Sequence, residues 1–439
     1  MTSAIRLHAP VVLPCDPACS VLRDAVVDIT DDGRIGHVGP AATAPATTGP
    51  VRRLTGILLP GLVNTHAHTP MTLFRGMGGD LPLLRWLREV IWPTEGRMRG
   101  PDVRAGMLLG CAEMLRAGVT TSAEMYFYDE DIVAAVLAAG SRVVLGVPLT
   151  VTDLPGMDWR SGLAHTDKWI DADGLRFGPA ERIEIGYGPH SAYVLPAEAL
   201  PVIAAAAQER GALLQIHVAE SRDEDVAQRE RYGSVPAMLA ELGVLDGRVL
   251  AAHAVHLSDA DIDLFARHHV GVAHCPGSNA KLASGIARLT DLRAAGVAVG
   301  LGTDGPASND DLDLWEDMRL AGLFARLATG DATAATAADV LLLATRGGAD
   351  ALGRNDIGAL EPGRWADLTH VDADQDAFVG GLDVPDPQLL ANLVWAAGSR
   401  GVRDVWVAGD PVLAGGVPTG VDEARALADV RAITRRLYA

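Results

Sequence analysis

Basic side chains are scarce in this chain of 439 residues. Lysine and arginine together number 37, against 56 aspartate and glutamate residues, which gives a formal net charge of −19. A surface with this balance repels phosphate backbones and anionic lipid headgroups. We therefore expect no nucleic-acid polymer and no membrane surface among its partners.

Cysteines, aromatic residues and long apolar runs are also few. The four cysteines cannot form a disulfide framework in a chain of this length, and Cys15 and Cys19 have no second Cys/His pair nearby. We expect free thiols there rather than a metal pair. No stretch of 18 or more apolar residues occurs, and residues 1–6 lack the basic start of a signal peptide. These absences predict a soluble, cytoplasmic protein.

What the chain does have is a regular alternation of apolar runs with helix-length sequence between residue 57 and about residue 356. This alternation is typical of parallel sheets whose strands are joined by helices. Eight such units in one block favour a (β/α)8 TIM barrel over a doubly wound sheet. The eight predicted strands are residues 57–63, 119–123, 142–147, 183–187, 213–216, 249–252, 270–273 and 297–301.

Both ends of the chain have β character instead. Residues 25–29 and 34–38 flank an Asp-Gly pair at Asp32 and Gly33, which is a strong hairpin signal. Residues 365–371 and 402–410 are also predicted strands. The sequence thus predicts an α/β fold with a small β-sandwich domain built from both ends: residues 1–56 and 363–439 form the sandwich, and residues 57–362 form the metal-dependent barrel.

Polar side chains follow the predicted strands where barrel enzymes place their chemistry, at the carboxyl ends. His66 and His68 are two residues apart, so in extended backbone both imidazoles project to the same side. His217, His253 and Asp304 follow the fifth, sixth and eighth strands. Neutral imidazoles with a carboxylate suit a divalent ion such as zinc, with one position left for water.

Five ordered motifs carry a resemblance that covers nearly the whole chain. The sequence resembles the amidohydrolase superfamily, and more narrowly its branch of methylthioadenosine/S-adenosylhomocysteine deaminases and triazine hydrolases. The motifs are LPGLVNTHAH (59–68), QIHVAE (215–220), AHAVHL (252–257), HCPGSNAKL (274–282) and GTDGPASN (302–309).

The resemblance implies one divalent metal ion per chain. Zn²⁺ is the first expectation, with Fe²⁺, Mn²⁺ and Co²⁺ left open because this ligand set suits several ions. It also implies a homo-oligomer, either a dimer or a tetramer. The implied metal ligands are His66, His68, His217 and Asp304.

The resemblance also implies the reaction and its catalytic residues. Metal-activated hydroxide would attack the amino-bearing carbon of a heterocycle, with release of ammonia. Glu220 would carry the proton, and His253 would orient the attacking water, with Asp304 also in the catalytic set. His190 would hydrogen-bond the substrate ring, whereas His274 is expected to be structural or to support the site.

The substrate expected from the resemblance is an adenine nucleoside. Glu95 falls where the family grips the ribose diol, because two carboxylate oxygens can accept two hydrogen bonds. Trp92 is expected to wall the pocket and Arg160 to lie near the substrate. Val147 stands near the position where S-adenosylhomocysteine deaminases can carry an arginine, so methylthioadenosine, 5′-deoxyadenosine, adenosine and S-adenosylhomocysteine all stay open.

Two other functions remain possible at this point. The first is hydrolysis of another amino- or chloro-substituted heterocycle, such as a guanine-type purine, a pterin or an s-triazine. The second is a barrel that has lost catalysis and serves as a binding module. Bound metal and ammonia release distinguish these alternatives.

Overall fold

The computed structural model describes residues 3–79, 81–151, 158–224 and 226–438. Their strands form two sheets of nine strands each. The strands are β1 (Ser3–Val12), β2 (Leu22–Thr30), β3 (Ile35–Pro40), β4 (Val51–Arg53), β5 (Gly56–Pro60), β6 (Leu62–Ala67), β7 (Val119–Glu124), β8 (Arg142–Leu149), β9 (Arg176–Phe177), β10 (Ile183–Pro189), β11 (Leu213–Val218), β12 (Arg248–His253), β13 (Gly271–His274), β14 (Val299–Leu301), β15 (Leu368–Asp372), β16 (Val402–Val407), β17 (Asp410–Ala414) and β18 (Val417–Pro418).

Eight parallel strands form the barrel, in the order β6, β7, β8, β10, β11, β12, β13 and β14. The first strand, β6, meets the chain just after the last strand, β14. There the backbone N–H of Asp304 donates to the carbonyl of His66 at 2.9 Å. Ala67 and Asp304 form an isolated parallel bridge there. The predicted (β/α)8 fold is confirmed, and its closure lies beside the predicted metal ligands.

Helices follow the barrel strands and pack on their outer side. Two of the described helices begin with a capping box in which a Ser or Thr side chain and an Asp three residues later satisfy backbone amides: Ser258 with Asp261, and Thr336 with Asp339. No described helix is long and apolar enough to cross a membrane. The helices are α1 (Leu83–Trp86), α2 (Trp92–Glu95), α3 (Gly100–Arg116), α4 (Asp129–Ala139), α5 (Trp159–Asp173), α6 (Ala199–Arg210), α7 (Val226–Tyr232), α8 (Val235–Glu241), α9 (Asp259–Arg267), α10 (Pro276–Lys281), α11 (Leu289–Ala294), α12 (Leu314–Thr329), α13 (Ala337–Leu343), α14 (Arg346–Ala351), α15 (Asp386–Ala391) and α16 (Glu423–Tyr438).

The second sheet joins the two ends of the chain, as the sequence predicts. Its main path runs β18, β17, β16, β15, β5, β1, β2 and β3, and β4 pairs with β1. The predicted hairpin is present as β2 and β3, with Gly33 at φ +77° in the turn. Because β5 lies between β1 and β15, strands from both chain ends meet in the middle of this sheet.

One predicted barrel strand, residues 57–63, is wrong as a single element. The chain divides it at Gly61 into β5, which pairs with β1 and β15, and β6, which opens the barrel. The run looked continuous because both sheets bury it completely. The domain bounds at 56 and 362 stay predictions. In the structure the chain passes from the end sheet to the barrel at Gly61.

A buried ion pair connects the barrel to the end sheet. Arg142, the first residue of β8, donates from Nε and Nη2 to both carboxylate oxygens of Asp367, at 2.9 and 3.0 Å. Asp367 also accepts the backbone N–H of Ala408 at 2.7 Å. The two side chains are at most 2% exposed, so the pair is part of the packed contact between the two sheets.

Candidate metal centre and active site

A cavity of about 310 Å³ opens at the carboxyl ends of the barrel strands. This volume is within the range of small-molecule pockets, and the mixture of many apolar side chains with a few converging polar groups is typical of them. The apolar lining includes Met71, Leu83, Trp86, Leu87, Trp92, Met125, Phe127, Pro148, Val151, Val194 and Leu282. The polar lining includes His68, Glu95, Tyr126, Tyr128, Thr150, His190, Tyr193, His217, Glu220, His253, Asp304 and Ser308.

Strand β6 and the residue after it bring His66 and His68 to one side, as the two-residue spacing predicts. Their ring centroids are 4.7 Å apart. The Nδ1–H of His68 donates to the carbonyl of Met125 at 2.6 Å, which leaves Nε2 free to face the centre. His66 is fully buried, and burial lowers its pKa to about 4, so its imidazole is neutral and can donate a lone pair.

His217, on β11, is oriented in the same manner. Its Nδ1–H donates to the carbonyl of His190 at 2.7 Å, and its Nε2 lies 3.3 Å from Nε2 of His68. Burial and the neighbouring imidazoles lower the pKa of His217 well below its usual value. A histidine whose second nitrogen is held by a carbonyl is the usual form of a metal ligand.

Asp304 contributes one carboxylate oxygen to this cluster. Its Oδ2 accepts hydrogen bonds from Ser278 at 2.6 Å and from Ser308 at 2.8 Å. Its Oδ1 lies 3.5 Å from Nε2 of His66 and 3.3 Å from Nε2 of His68. The backbone at Asp304 is left-handed, with φ +61°; such residues cluster at functional sites because the surrounding structure must enforce them.

These donor atoms fit a tetrahedral divalent ion. Ligands about 2.0–2.1 Å from a tetrahedral zinc lie roughly 3.3 Å from one another, and the three separations above are 3.3, 3.3 and 3.5 Å. Both nitrogens of the buried His66 ring have no hydrogen-bond partner. An unpartnered buried imidazole among three other donors is what a metal site requires.

His253 and Glu220 lie beside this cluster. The Nδ1–H of His253 donates to Oδ1 of Asn279 at 2.9 Å, and its Nε2 lies 3.8 Å from Oε2 of Glu220. A ring nitrogen of His253 also lies within 4.8 Å of ring nitrogens of His66 and His217, so these three side chains could share an ion. Glu220 is 4% exposed, and burial together with Asp304 raises its pKa to about 8.

The cavity also contains a second carboxylate, Glu95, at the end of α2. The phenol O–H of Tyr126 donates to Oε1 of Glu95 at 2.7 Å. Desolvation in the cavity wall raises the pKa of Glu95 to about 7, and the Tyr126 hydrogen bond opposes this rise. Trp92, 39% exposed, lines the same cavity. One oxygen of Glu95 is thus held in place while the other has no partner among the described residues.

The remaining predicted residues divide between the cavity and the surface. His190 lines the cavity with its ring 4.7 Å from that of His217. Arg160 is not among the lining residues described: it is exposed on α5, with its guanidinium 4.2 Å from the ring of Trp159. Residues 152–157, which precede it, lie outside the described residues. His274 is buried, and burial lowers its pKa to about 4, but it does not reach the described lining.

Two residues at this site were not assigned a role from the sequence. Tyr126, which orients Glu95, has no motif around it. Glu124 ends β7 and accepts the backbone N–H groups of Thr69 and Met125, at 3.1 and 3.2 Å. Thr69 follows His68 in the chain, and Met125 is the residue whose carbonyl accepts from His68. Its position at a strand end was the available signal, but nothing in the sequence indicates that it faces backbone amides.

Three comparisons with known proteins show what the chain is similar to. The sequence profile described as Amidohydrolase family matches residues 57–412. The chain is 40% identical over 437 residues to a 5-methylthioadenosine/S-adenosylhomocysteine deaminase of Pelotomaculum thermopropionicum, covering 99% of this chain and 98% of the relative. It is 40% identical over 402 residues to a 5′-deoxyadenosine deaminase of Methanosarcina mazei, covering 91% and 90%. A zinc-bound crystal structure of an adenosine deaminase from Xanthomonas campestris has a TM-score of 0.92 and 35% identity, over 100% of this chain and 99% of that one.

Proposed function

Because the chain belongs to the amidohydrolase family, we propose that it is a metal-dependent deaminase of an adenine nucleoside. It is a hydrolase acting on carbon–nitrogen bonds. The observation that carries the proposal is that one cavity holds both the His–Asp cluster with Glu220 and a second carboxylate, Glu95, oriented by Tyr126. The first set supports hydrolysis of a carbon–nitrogen bond, and Glu95 supports recognition of a diol.

His66, His68, His217 and Asp304 would hold the metal ion, and we propose Zn²⁺ as that ion. When bound, such an ion lowers the pKa of a water molecule to about 7, which makes hydroxide available near neutral pH. The serine hydroxyls on Oδ2 of Asp304 direct its Oδ1 toward the histidines. The carbonyl partners of His68 and His217 direct each Nε2 toward the same point.

Glu220 moves the protons of the reaction. It takes a proton from the attacking water and gives it to the ring nitrogen beside the amino-bearing carbon, which becomes tetrahedral. It then carries the proton of the new hydroxyl group to the amino group, the C–N bond breaks, and ammonia leaves as the ring carbonyl forms. His253 would hydrogen-bond the attacking water through Nε2, because Asn279 holds its other nitrogen.

Glu95 selects the substrate in this proposal. With Oε1 fixed by Tyr126, the carboxylate can accept hydrogen bonds from two vicinal hydroxyls, and a free base offers none. His190 would contact the ring and Trp92 would cover it from the cavity wall. Arg160 is not among the described residues that line the cavity, so its role stays a prediction. The oligomeric state and a cytoplasmic location also stay predictions.

The proposal is tested by measuring ammonia release together with the absorbance change of the purine ring. Zinc-loaded protein is assayed with adenosine, 5′-deoxyadenosine, methylthioadenosine, S-adenosylhomocysteine, guanine and a chlorotriazine. We expect turnover of one or more nucleosides, loss of activity after chelation and recovery with Zn²⁺. The Glu95→Ala variant should raise KM for nucleosides and leave free bases unaffected.

Two results would contradict the proposal. Activity on a free heterocycle with none on nucleosides would keep the metal chemistry but reject Glu95 as a diol clamp. Protein that releases no ammonia and takes up no zinc would support a binding module instead.

A further inference from the structure

Asp317 is a fully buried carboxylate on α12 that does not line the cavity. Its Oδ1 accepts the backbone N–H of Gly277 at 3.0 Å, and its Oδ2 accepts Nδ2 of Asn309 at 3.3 Å. Gly277 lies in the first turn of α10, which follows β13, and Asn309 lies in the loop after β14. The side chain of Asp317 therefore connects α12 to α10 and to this loop.

Helix α10 and the loop after β14 also carry the side chains that orient Asp304 and His253. Ser278 follows Gly277 and donates to Oδ2 of Asp304, and Asn279 accepts from Nδ1 of His253. Ser308 precedes Asn309 and makes the second hydrogen bond to Oδ2 of Asp304. These three residues are close in sequence to the two residues that Asp317 contacts. Ser278 and Ser308 are next to Gly277 and Asn309, and Asn279 is two residues from Gly277.

The packing around this anchor is tight. A Cβ atom added at Gly277 would lie 1.9 Å from Oδ1 of Asn309 and 3.1 Å from Oδ1 of Asp317. Real Cβ atoms do not approach other atoms to 1.9 Å, so a side chain at position 277 would displace the Asn309 side chain from its place beside Asp317. Glycine at this position lets Asn309 and Asp317 both pack against α10.

We propose that Asp317 is a positioning residue for the metal centre. It acts on His253 through α10, and on Asp304 through both α10 and the loop after β14. The inference rests on the metal ligands of the proposed function and makes no assumption about the substrate. Groups that hydrogen-bond directly to metal ligands, as Ser278 and Ser308 do to Asp304, are usually worth about 10- to 100-fold in metal affinity. Asp317 holds the residues next to these two serines.

Two substitutions at Asp317 test its hydrogen bonds. Asp317→Leu keeps the branch at Cγ but is larger and accepts neither hydrogen bond. Asp317→Asn keeps an oxygen for Gly277 and presents an amide that a rotated Asn309 side chain can accept. We expect about 10- to 100-fold weaker Zn²⁺ binding for the leucine variant, measured by competition with a chelator, and a change within about threefold for the asparagine variant.

The absorption spectrum of the Co²⁺-substituted protein gives a second readout that loss of stability alone does not move. We expect the leucine variant to change the ligand-field bands and the asparagine variant to keep them. Asp404→Leu is the matched control: Asp404 is 3% exposed in the end sheet, where it accepts from His370 and Gly415. This control should lower stability while leaving Zn²⁺ affinity and the Co²⁺ spectrum unchanged.

The outcomes separate this inference from the proposed function. Wild-type protein that binds no Zn²⁺ or Co²⁺ would overturn both. Normal metal binding by the wild type together with unchanged affinity and spectrum in Asp317→Leu would overturn the inference alone. If the leucine variant does not fold, Asn309→Ala removes one anchor contact; it should weaken Zn²⁺ binding and shift the spectrum, and unchanged values would again reject the inference.

Discussion

Glu220 and Glu95 are carboxylates of one cavity with different surroundings. Glu220 lies 3.8 Å from His253 and near the proposed metal ligand Asp304, whereas Glu95 is held by the phenol of Tyr126. Burial raises the pKa of both. Two acids whose neighbours differ in this way can take different roles in one reaction.

Replacing Glu220 by glutamine keeps the size of the side chain but removes its ability to accept a proton. We expect kcat to fall by about 10²- to 10⁴-fold, while zinc content and nucleoside binding stay close to wild type. Glu209→Gln is the control, because the side chain of Glu209 is 78% exposed on α6 and is not among the cavity-lining residues described. A Glu220→Gln enzyme with turnover within tenfold of wild type would contradict the assigned role.

The raised pKa of Glu95 predicts a pH dependence of nucleoside binding. A carboxyl group with pKa about 7 is neutral below that pH and charged above it, so binding of the diol should tighten as the pH rises through 7. Calorimetric titration of adenosine into the Glu220→Gln variant measures this without turnover. Tyr126→Phe removes a hydrogen bond that lowers this pKa, so its binding midpoint should move to higher pH, and adenine without ribose should show no such step.

At the residue scale, the sequence predicted the groups that lie in motifs and missed those that contact them. His66 and His68 are recognisable because a two-residue spacing in a strand places both on one face. Tyr126 and Asp317 have no such spacing to a ligand, because their contacts run between different strands and helices. Arg160 was expected near the substrate from the resemblance alone, and loops vary in length among related proteins, so a resemblance there does not fix where a side chain points.

At the scale of elements, the break at Gly61 is the point where the chain passes from one sheet to the other. A Cβ atom at Gly61 would lie 2.1 Å from Oγ1 of Thr120. Gly61→Ala should therefore lower the free energy of unfolding by about 1–3 kcal/mol, the usual effect of overpacking, measured by urea denaturation. Gly79→Ala is the control, because nothing lies within 4 Å of its added Cβ, and equal stability of the two variants would contradict the close packing at Gly61.

Seven of the eight predicted barrel strands match observed strands to within a few residues, because each is an apolar run between helical stretches. The exception, residues 57–63, shows what hydrophobicity cannot tell: a run buried by two sheets looks the same as a run buried by one. The π-helical turn Leu87–Ile91 between α1 and α2 was also beyond prediction. Leu87 of this turn lines the cavity, and π-helical turns are frequent at functional sites without a recognised sequence signal.

At the scale of the whole molecule, the Arg142–Asp367 pair joins the barrel to the end sheet. Asp367→Ala would leave a buried guanidinium without its partner, and we expect the free energy of unfolding to fall by about 3–5 kcal/mol. Asp386→Ala is the control: its pair with Arg23 is largely exposed and should contribute at most about 1 kcal/mol. Urea denaturation followed by circular dichroism compares the two, and similar losses would show that burial of the pair has no special effect.

The position of β5 sets an order on the assembly of the protein during synthesis. Pro60 pairs with Leu368, and all eight barrel strands lie between these two residues in the sequence. While the ribosome makes the barrel, the apolar strand Gly56–Pro60 has one edge unpaired, and such an edge is a site for aggregation. The second edge of β5 is therefore paired late, after most of the chain has left the ribosome. A nascent chain stalled before residue 368 would be the form that most needs a chaperone.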